Sequence, residues 1–146
     1  MWQRPVVQLD EAACWERFCA AHHGTLGTVH AARGVDAVPV VFVVHDDRFV
    51  IPIDTVKPKA GPMLQRLRNL LADPRAVLLV DHYAADWSQL WWVRAHGRAE
   101  QHVPTPAQLD ALGRGFPAYR DPEVVTSVIV LEPSEISGWT ASAPPT

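Results

Sequence analysis

Lysine is almost missing from this chain: Lys57 and Lys59 are the only two, and every other fixed positive charge is an arginine. The net charge of −3 leaves no basic face to neutralise a run of phosphates, which argues against nucleic acid as a partner. Cysteine is scarce as well. Cys14 and Cys19 lie five apart in one predicted helix and point to different faces, too few for a disulfide framework or a metal set. They read as packing residues in a reducing compartment. No apolar run approaches a membrane span, and no charged segment followed by an apolar one opens the chain, so the expected location is the cytoplasm, with no membrane partner. A Gly-x-Ser-x-Gly nucleophile turn is absent. Gly24 and Gly27 are followed by strand rather than helix, which excludes a dinucleotide loop. His30, His45, His82, Asp81 and His96 fall near predicted strand ends, and apart from the adjacent His22-His23 no pair has a ligand spacing, so no metal is expected. The chain offers no nucleophile or acid–base pair of its own. If it is an enzyme, a bound cofactor carries the chemistry.

What is present is ordinary globular material, 48% hydrophobic and 20% charged over 146 residues. One domain is expected over 1–146, with a core from about 10 to 139 and a disordered tail from Thr140. Asp10 is a good N-cap for a helix reaching about Ala21, with Leu9 placed to staple onto Cys14. Thr25 to Ala31 reads as a strand, Ala32-Arg33-Gly34 as a turn, and Val35 to His45 as one near-continuous apolar strand. Asp46-Asp47 turns the chain into a returning strand, Arg48 to Asp54. Pro39 and Pro52 in these neighbouring strands predict interrupted ladders and a sheet that curls or closes. Further strands are expected over Arg75 to Tyr83, Trp87 to about Val103 with a kink at Gly97, and Thr126 to Leu131 with an extension toward Trp139. Thr105 caps a helix from Pro106. Six or seven mostly antiparallel strands with flanking helices predict a small α+β barrel.

The stretch from Ile51 to Leu71 is the most informative. It reads as a strand end, a proline-punctuated loop holding both lysines, and an amphipathic helix with Leu64, Leu67, Leu70 and Leu71 as its apolar stripe. Positive charge beside a helix N-terminus suits an anion. Arg66 and Asn69, three apart on the helix, can reach back toward the same place. The same residues also fit a solvated basic loop. Trp87, Trp91 and Trp92 form the other concentration. Trp91 and Trp92 face opposite sides of a strand, so one serves the core while the other serves an interface or a ligand. Arg94 and Arg98 share one parity, as surface charges or as partners for an acidic group of a second chain.

The order of elements, with Ile-Asp-Thr-Val-Lys-Pro-Lys at 53–59, Leu-Gln-Arg-Leu-Arg-Asn-Leu at 64–70, Asp-Pro-Arg at 73–75 and a long strand ending Gly-Arg-Ala, resembles the split β-barrel flavin/deazaflavin-binding family, which includes pyridoxamine 5′-phosphate oxidase-like proteins. Lys57-Pro58-Lys59, Asp81-His82-Tyr83, Asp86-Trp87-Ser88 and Leu90-Trp91-Trp92-Val93-Arg94 resemble its coenzyme F420 branch. The resemblance covers about residues 10–135 and is specific over 51–99. It implies an oxidoreductase that passes a hydride between a deazaflavin and a small organic acceptor, working as a homodimer with cofactor sites at the subunit interface. It places the cofactor phosphate at Lys57 and Lys59, supported by Arg66 and Asn69. The ring falls against the edge Ile51 to Thr55, with Ile53, Asp54, Thr55 and Val56 as cofactor-binding residues, and Trp87, Trp91 or Trp92 comes from the other subunit. His82 and Tyr83 are the nearest proton donors. FMN in the same fold is the alternative cofactor, and a non-catalytic flavin-, deazaflavin- or haem-binding protein is the other alternative. No Arg or His follows Arg120, so the basic substrate pocket of the vitamin oxidases is missing.

Overall fold

The computed structural model describes residues 6–54 and 64–141. A short strand β1 (Val6–Gln8), which the sequence pattern does not reveal, leads into helix α1 (Glu11–Ala20). The Asp10 carboxylate accepts from the Ala13 N–H at 2.8 Å, so the predicted cap closes the first turn. Cys14 and Phe18 on this helix are fully buried. Cys19 is exposed, which corrects its reading as a packing residue: at five residues' spacing it sits on the solvent side.

Strand β2 (His23–His30) pairs antiparallel with β3 (Gly34–Val41). The run expected as one strand from Val35 to His45 is in fact two. It breaks at Phe42, and β4 (Val43–His45) continues as the partner of β5 (Arg48–Asp54). The Asp46 and Asp47 turn has φ of 55° and 56°, as a two-residue hairpin requires. The remaining strands are β6 (Arg75–His82), β7 (Trp91–His102) and β8 (Val125–Ala141). The hydrogen-bonded order is β3-β2-β6-β7-β8-β5-β4, with β1 added on β8. The two ends of this path are β3 and β4, which are consecutive in the chain. Phe42 therefore joins the sheet's edges and closes it into a split barrel, and its side chain is fully buried. Pro39 is tolerated because, among the described residues, β3 has no second strand partner.

The 17-residue β8 is the spine, pairing β7 along one edge and β5 along the other. The segments expected as a strand plus an extension are thus one element, which includes Thr140 and Ala141. The rest of the predicted tail, 142–146, lies outside the described residues. β7 starts at Trp91, not Trp87, because Trp87–Gln89 form a 3₁₀ turn capped by Asp86. Gly97 marks the predicted kink: the β7–β8 register shifts between His96 and Gly97.

Inside the barrel, Phe18, Phe42 and Phe49 meet edge-to-face at 4.7–6.5 Å, and Trp15 stacks on Phe49 at 5.2 Å. Helix α2 (Gln65–Ala72) closes another side with Leu67 and Leu70. Leu71 is 72% exposed, so it falls off the predicted stripe. Helix α3 (Pro106–Gly115) opens with a Thr105–Gln108 capping box and is followed by a 3₁₀ turn, Pro117–Arg120. These cover the outer face of β5 and β8 in a second cluster of Val50, Leu112, Tyr119, Val125 and Val128. That is why β5 reads as an unbroken apolar run: Phe49 and Ile51 face the barrel while Val50 faces α3. Among the described residues no helix is long and apolar enough to cross a membrane.

Candidate functional site

β4 covers β5 only from Arg48 to Val50, whereas β8 follows β5 to its end. Beyond Val50 no described residue pairs with the β4-side edge of β5. In an antiparallel ladder the backbone polar groups of alternate residues turn to the same side, so Pro52 shares the β4 side with Val50 and Arg48. The missing N–H of Pro52 therefore falls where no ladder partner is lost, and its carbonyl remains on the open edge. The β5–β8 register then shifts between Ile53 and Asp54, which loosens the last residue from the ladder. Among the described residues, two side chains from distant parts of the chain bond to this end. Thr126 Oγ1 donates to the Ile53 carbonyl at 3.2 Å, and the Tyr119 hydroxyl donates to Asp54 Oδ2 at 2.7 Å. Burial, with the neighbouring carboxylate, pushes the Tyr119 hydroxyl pKa up, so it stays a proton donor.

Arg66 occupies the second position of α2. Its Nε is buried and has no hydrogen-bond partner. Burial lowers its pKa, and the charge of Asp54 opposes that shift. Leu64 at the helix N-cap provides no side-chain cap. A half-buried guanidinium with an unsatisfied donor, beside an uncapped helix start, suits an anionic group.

Asn69 does not join Arg66, contrary to expectation. It is 3% exposed and turned into the protein, where Nδ2 donates to Thr28 Oγ1 at 2.9 Å and to Asp36 Oδ2 at 2.8 Å. On α2 a three-residue offset rotates it onto the buried face with Leu67 and Leu70. Thr55, Val56, Lys57 and Lys59 lie outside the described residues, in the segment that joins Asp54 to α2.

Trp87 and Trp92 are not near Asp54 in the same chain. Asp54 pairs with Val125 at the start of β8, and Trp92 pairs with Trp139 near its end. Those partners are separated by roughly 46 Å of strand path at about 3.3 Å per residue. Trp92 lies on the outer face of β7 with the Arg94 guanidinium 4.9 Å from its ring, and Trp87 is 52% exposed. Trp91 points the other way, stacked with His82 at 5.9 Å and with Arg17 at 5.5 Å from its ring. His82 and Tyr83 share this far end, and Tyr83 is 77% exposed. A cavity of about 400 Å³ opens there, lined by Arg17, His22, His23, His82 and Trp91 among others. Among the described residues no three His, Cys, Asp or Glu side chains gather as a metal site.

Tyr119 and Thr126 are the residues that sequence reasoning misses. Tyr119 reaches Asp54 across 65 positions and Thr126 reaches Ile53 across 73, and no local pattern announces either bond.

Residues 11–140 match the family model described as pyridoxamine 5′-phosphate oxidase. No curated protein matches the sequence. Among solved structures, an FAD-binding protein of Mesorhizobium loti superposes with a TM-score of 0.71 at 17% identity, over 94% of this chain and 99% of the other. An FAD-binding protein of Mycobacterium smegmatis gives 0.60 at 14% identity, over 92% and 97% of the two chains. A haem-binding protein of Mycobacterium smegmatis gives 0.62 at 22% identity and covers 94% of this chain but 57% of its own. These identities establish a shared fold. The chain belongs to the pyridoxamine 5′-phosphate oxidase family and has its split-barrel architecture.

Proposed function

We propose that the protein is an oxidoreductase that binds coenzyme F420 along the open edge of β5 and works as a homodimer. The observation that carries the reading is the buried, unpartnered Nε of Arg66, on which the charge of Asp54 at the end of that edge acts. A buried donor left unpaired is costly unless something satisfies it, and a phosphate oxygen does so. Lys57 and Lys59, on the segment between the edge and α2, add charge for the same group. The Pro52 carbonyl and the backbone of Asp54 supply hydrogen-bonding groups for the polar side of a flat ring, and buried Ile51 and Ile53 keep water from beneath it. When bound, the deazaflavin supplies a hydride to an electron-poor organic acceptor. No side chain beside the edge has to act as a nucleophile in such a transfer.

The second subunit enters through the outer sheet face. Val35, Ala37 and Pro39 on β3 share that face with Val77 and Leu79 on β6, and Val35 is 73% exposed. Such a face is suited to burial against a second copy. It would let Trp87 or Trp92 of one subunit reach the other's site, which they do not reach in their own.

FMN is the second reading, favoured by the FAD-binding proteins among the structural neighbours. Absorbance of the purified protein, followed by titration with oxidised and reduced F420, FMN and haem, separates the cases. Saturable F420 binding with weak FMN binding is expected. Tight FMN binding without F420 binding overturns the cofactor choice, and tight haem binding alone overturns the enzyme reading.

A further inference from the structure

We infer that the cavity at the Trp91 end of the barrel, where α1 finishes beside β6 and β7, is a second binding site, built for a small aromatic carboxylate held by Arg17. The inference is independent of the cofactor reading and uses no residue of the β5 edge or of α2.

Two other arginines show how a carboxylate is taken in this fold. Arg33 holds Asp36 through Nε at 2.7 Å and Nη2 at 3.0 Å, and Arg75 holds Asp73 through the same two nitrogens. Arg17 makes no such fork. Its Nη1 donates to the Ala13 carbonyl of its own helix at 3.1 Å, and its buried Nε has no hydrogen-bond partner. A place in the last turn of α1 accounts for a cation, since a helix C-terminus favours one. It does not account for a buried donor without an acceptor, which is costly.

The cavity that Arg17 lines has a volume of about 400 Å³. The Arg17 guanidinium lies 5.5 Å from the centre of the Trp91 ring, and the His82 ring lies 5.9 Å from it and within 19° of parallel. Contact with Trp91 holds the guanidinium in place before a ligand arrives, which lowers the cost of ordering it on binding. Trp91 and Val80, with Ala20 and Ala21, give the cavity an apolar lining suited to a ring. Glu16 and Asp81, both exposed, line it as well. Their charges repel a phosphate dianion more than a monoanion, and one guanidinium matches one carboxylate. A ring carrying a single carboxylate therefore suits the donor, the lining and the acidic rim together.

The test is calorimetric titration of the full-length protein with cinnamate, with cinnamyl alcohol as its uncharged counterpart, and with inorganic phosphate. Cinnamate should bind saturably, at least about tenfold more tightly than either of the others. Arg17→Met should abolish the preference for the carboxylate, and Arg17→Lys, a charge without the fork, should keep only part of it. Asp81→Asn, at an exposed position that leaves Arg17 untouched, should tighten cinnamate binding about twofold, and it carries the test should the Arg17 variants fail to fold. Arg66→Met should leave cinnamate binding unchanged, which separates this site from the proposed cofactor site. No saturable cinnamate binding, equal binding of the alcohol, or tighter binding of phosphate overturns the proposal. So does cinnamate binding that survives Arg17→Met, that Asp81→Asn does not tighten, or that Arg66→Met removes.

Discussion

The Asn69 side chain on α2 donates a hydrogen bond to Thr28 Oγ1 on β2, 41 positions away, and both residues are almost wholly buried, at 3% and 2% exposure. Its second donor hydrogen goes to Asp36 on β3, and its carbonyl accepts from Gln65 at 2.9 Å. A residue that reads as a ligand group in the sequence is thus the polar pin that holds α2 to the sheet. Asn69→Ala should cost about 1–3 kcal/mol, because Thr28 and Asp36 lose their buried donor. Urea denaturation reads this directly. A full-stability variant with weakened FMN or F420 binding would instead return Asn69 to the site.

Gly97 sits at the bulge opposite the Glu132–Pro133 backbone, and a Cβ there would collide with the Glu132 carbonyl group. Backbone on both sides leaves nothing flexible to move. Gly97→Ala should lower the melting temperature markedly, by about 2–4 °C for each kcal/mol lost, read by calorimetry. An unchanged melting temperature would show that the bulge relaxes.

Lys57 and Lys59 belong to the connection between the open edge and α2, and neither residue type is needed for the core. Lys57→Ala with Lys59→Ala should weaken F420 or FMN binding about tenfold or more while leaving urea stability within about 0.5 kcal/mol. Unchanged affinity in titration would place the phosphate elsewhere.

Asp73 caps the C-terminus of α2 and takes a bidentate pair from Arg75, with Nη2 donating at 2.7 Å and Nε at 3.0 Å. The Arg75 side chain, then its backbone N–H, brings the Asp73 carboxyl down from 3.8 to about 2. The folded value lies below the unfolded one, so the stability this pair adds is present above about pH 4 and lost as the pH falls to about 2. Arg75 is 71% exposed, which keeps the contribution modest and sensitive to salt. Asp73→Asn should flatten the acid limb of a melting-temperature profile over that window, most visibly at low ionic strength.

Val35 projects from β3 with 73% of its surface exposed. Val35→Glu should shift the protein from dimer to monomer in sedimentation velocity, since a charge would be buried at the proposed interface. A dimer unaffected by this change would move the interface to another face.

The sequence by itself settled the local features. The Asp10 and Thr105 caps, the Asp46-Asp47 hairpin and the Gly97 kink follow from preferences within a few residues, and each appears where those preferences put it. Alternation and apolar runs marked the long strands. The β1 strand was too short to show, and nothing marked the 3₁₀ turn at Trp87. Tertiary structure decided the break at Phe42. The run from Val35 to His45 carries one continuous apolar signal, and only barrel closure makes half of it pair with β2 and half with β5. The same holds for the candidate site. Arg66 and Asp54 are near in sequence and could both be named as candidates from the chain alone, whereas the edge beside Asp54 emerges only from the strand pairing. Asn69 was assigned to them by its spacing on the helix, but the burial of α2 turned it inward to Thr28. Tyr119 and Thr126 reach the edge from the other end of the chain, because α3 packs over β5 and β8. Sequence thus placed the polar groups along the chain, and packing decided which of them the fold turns inward.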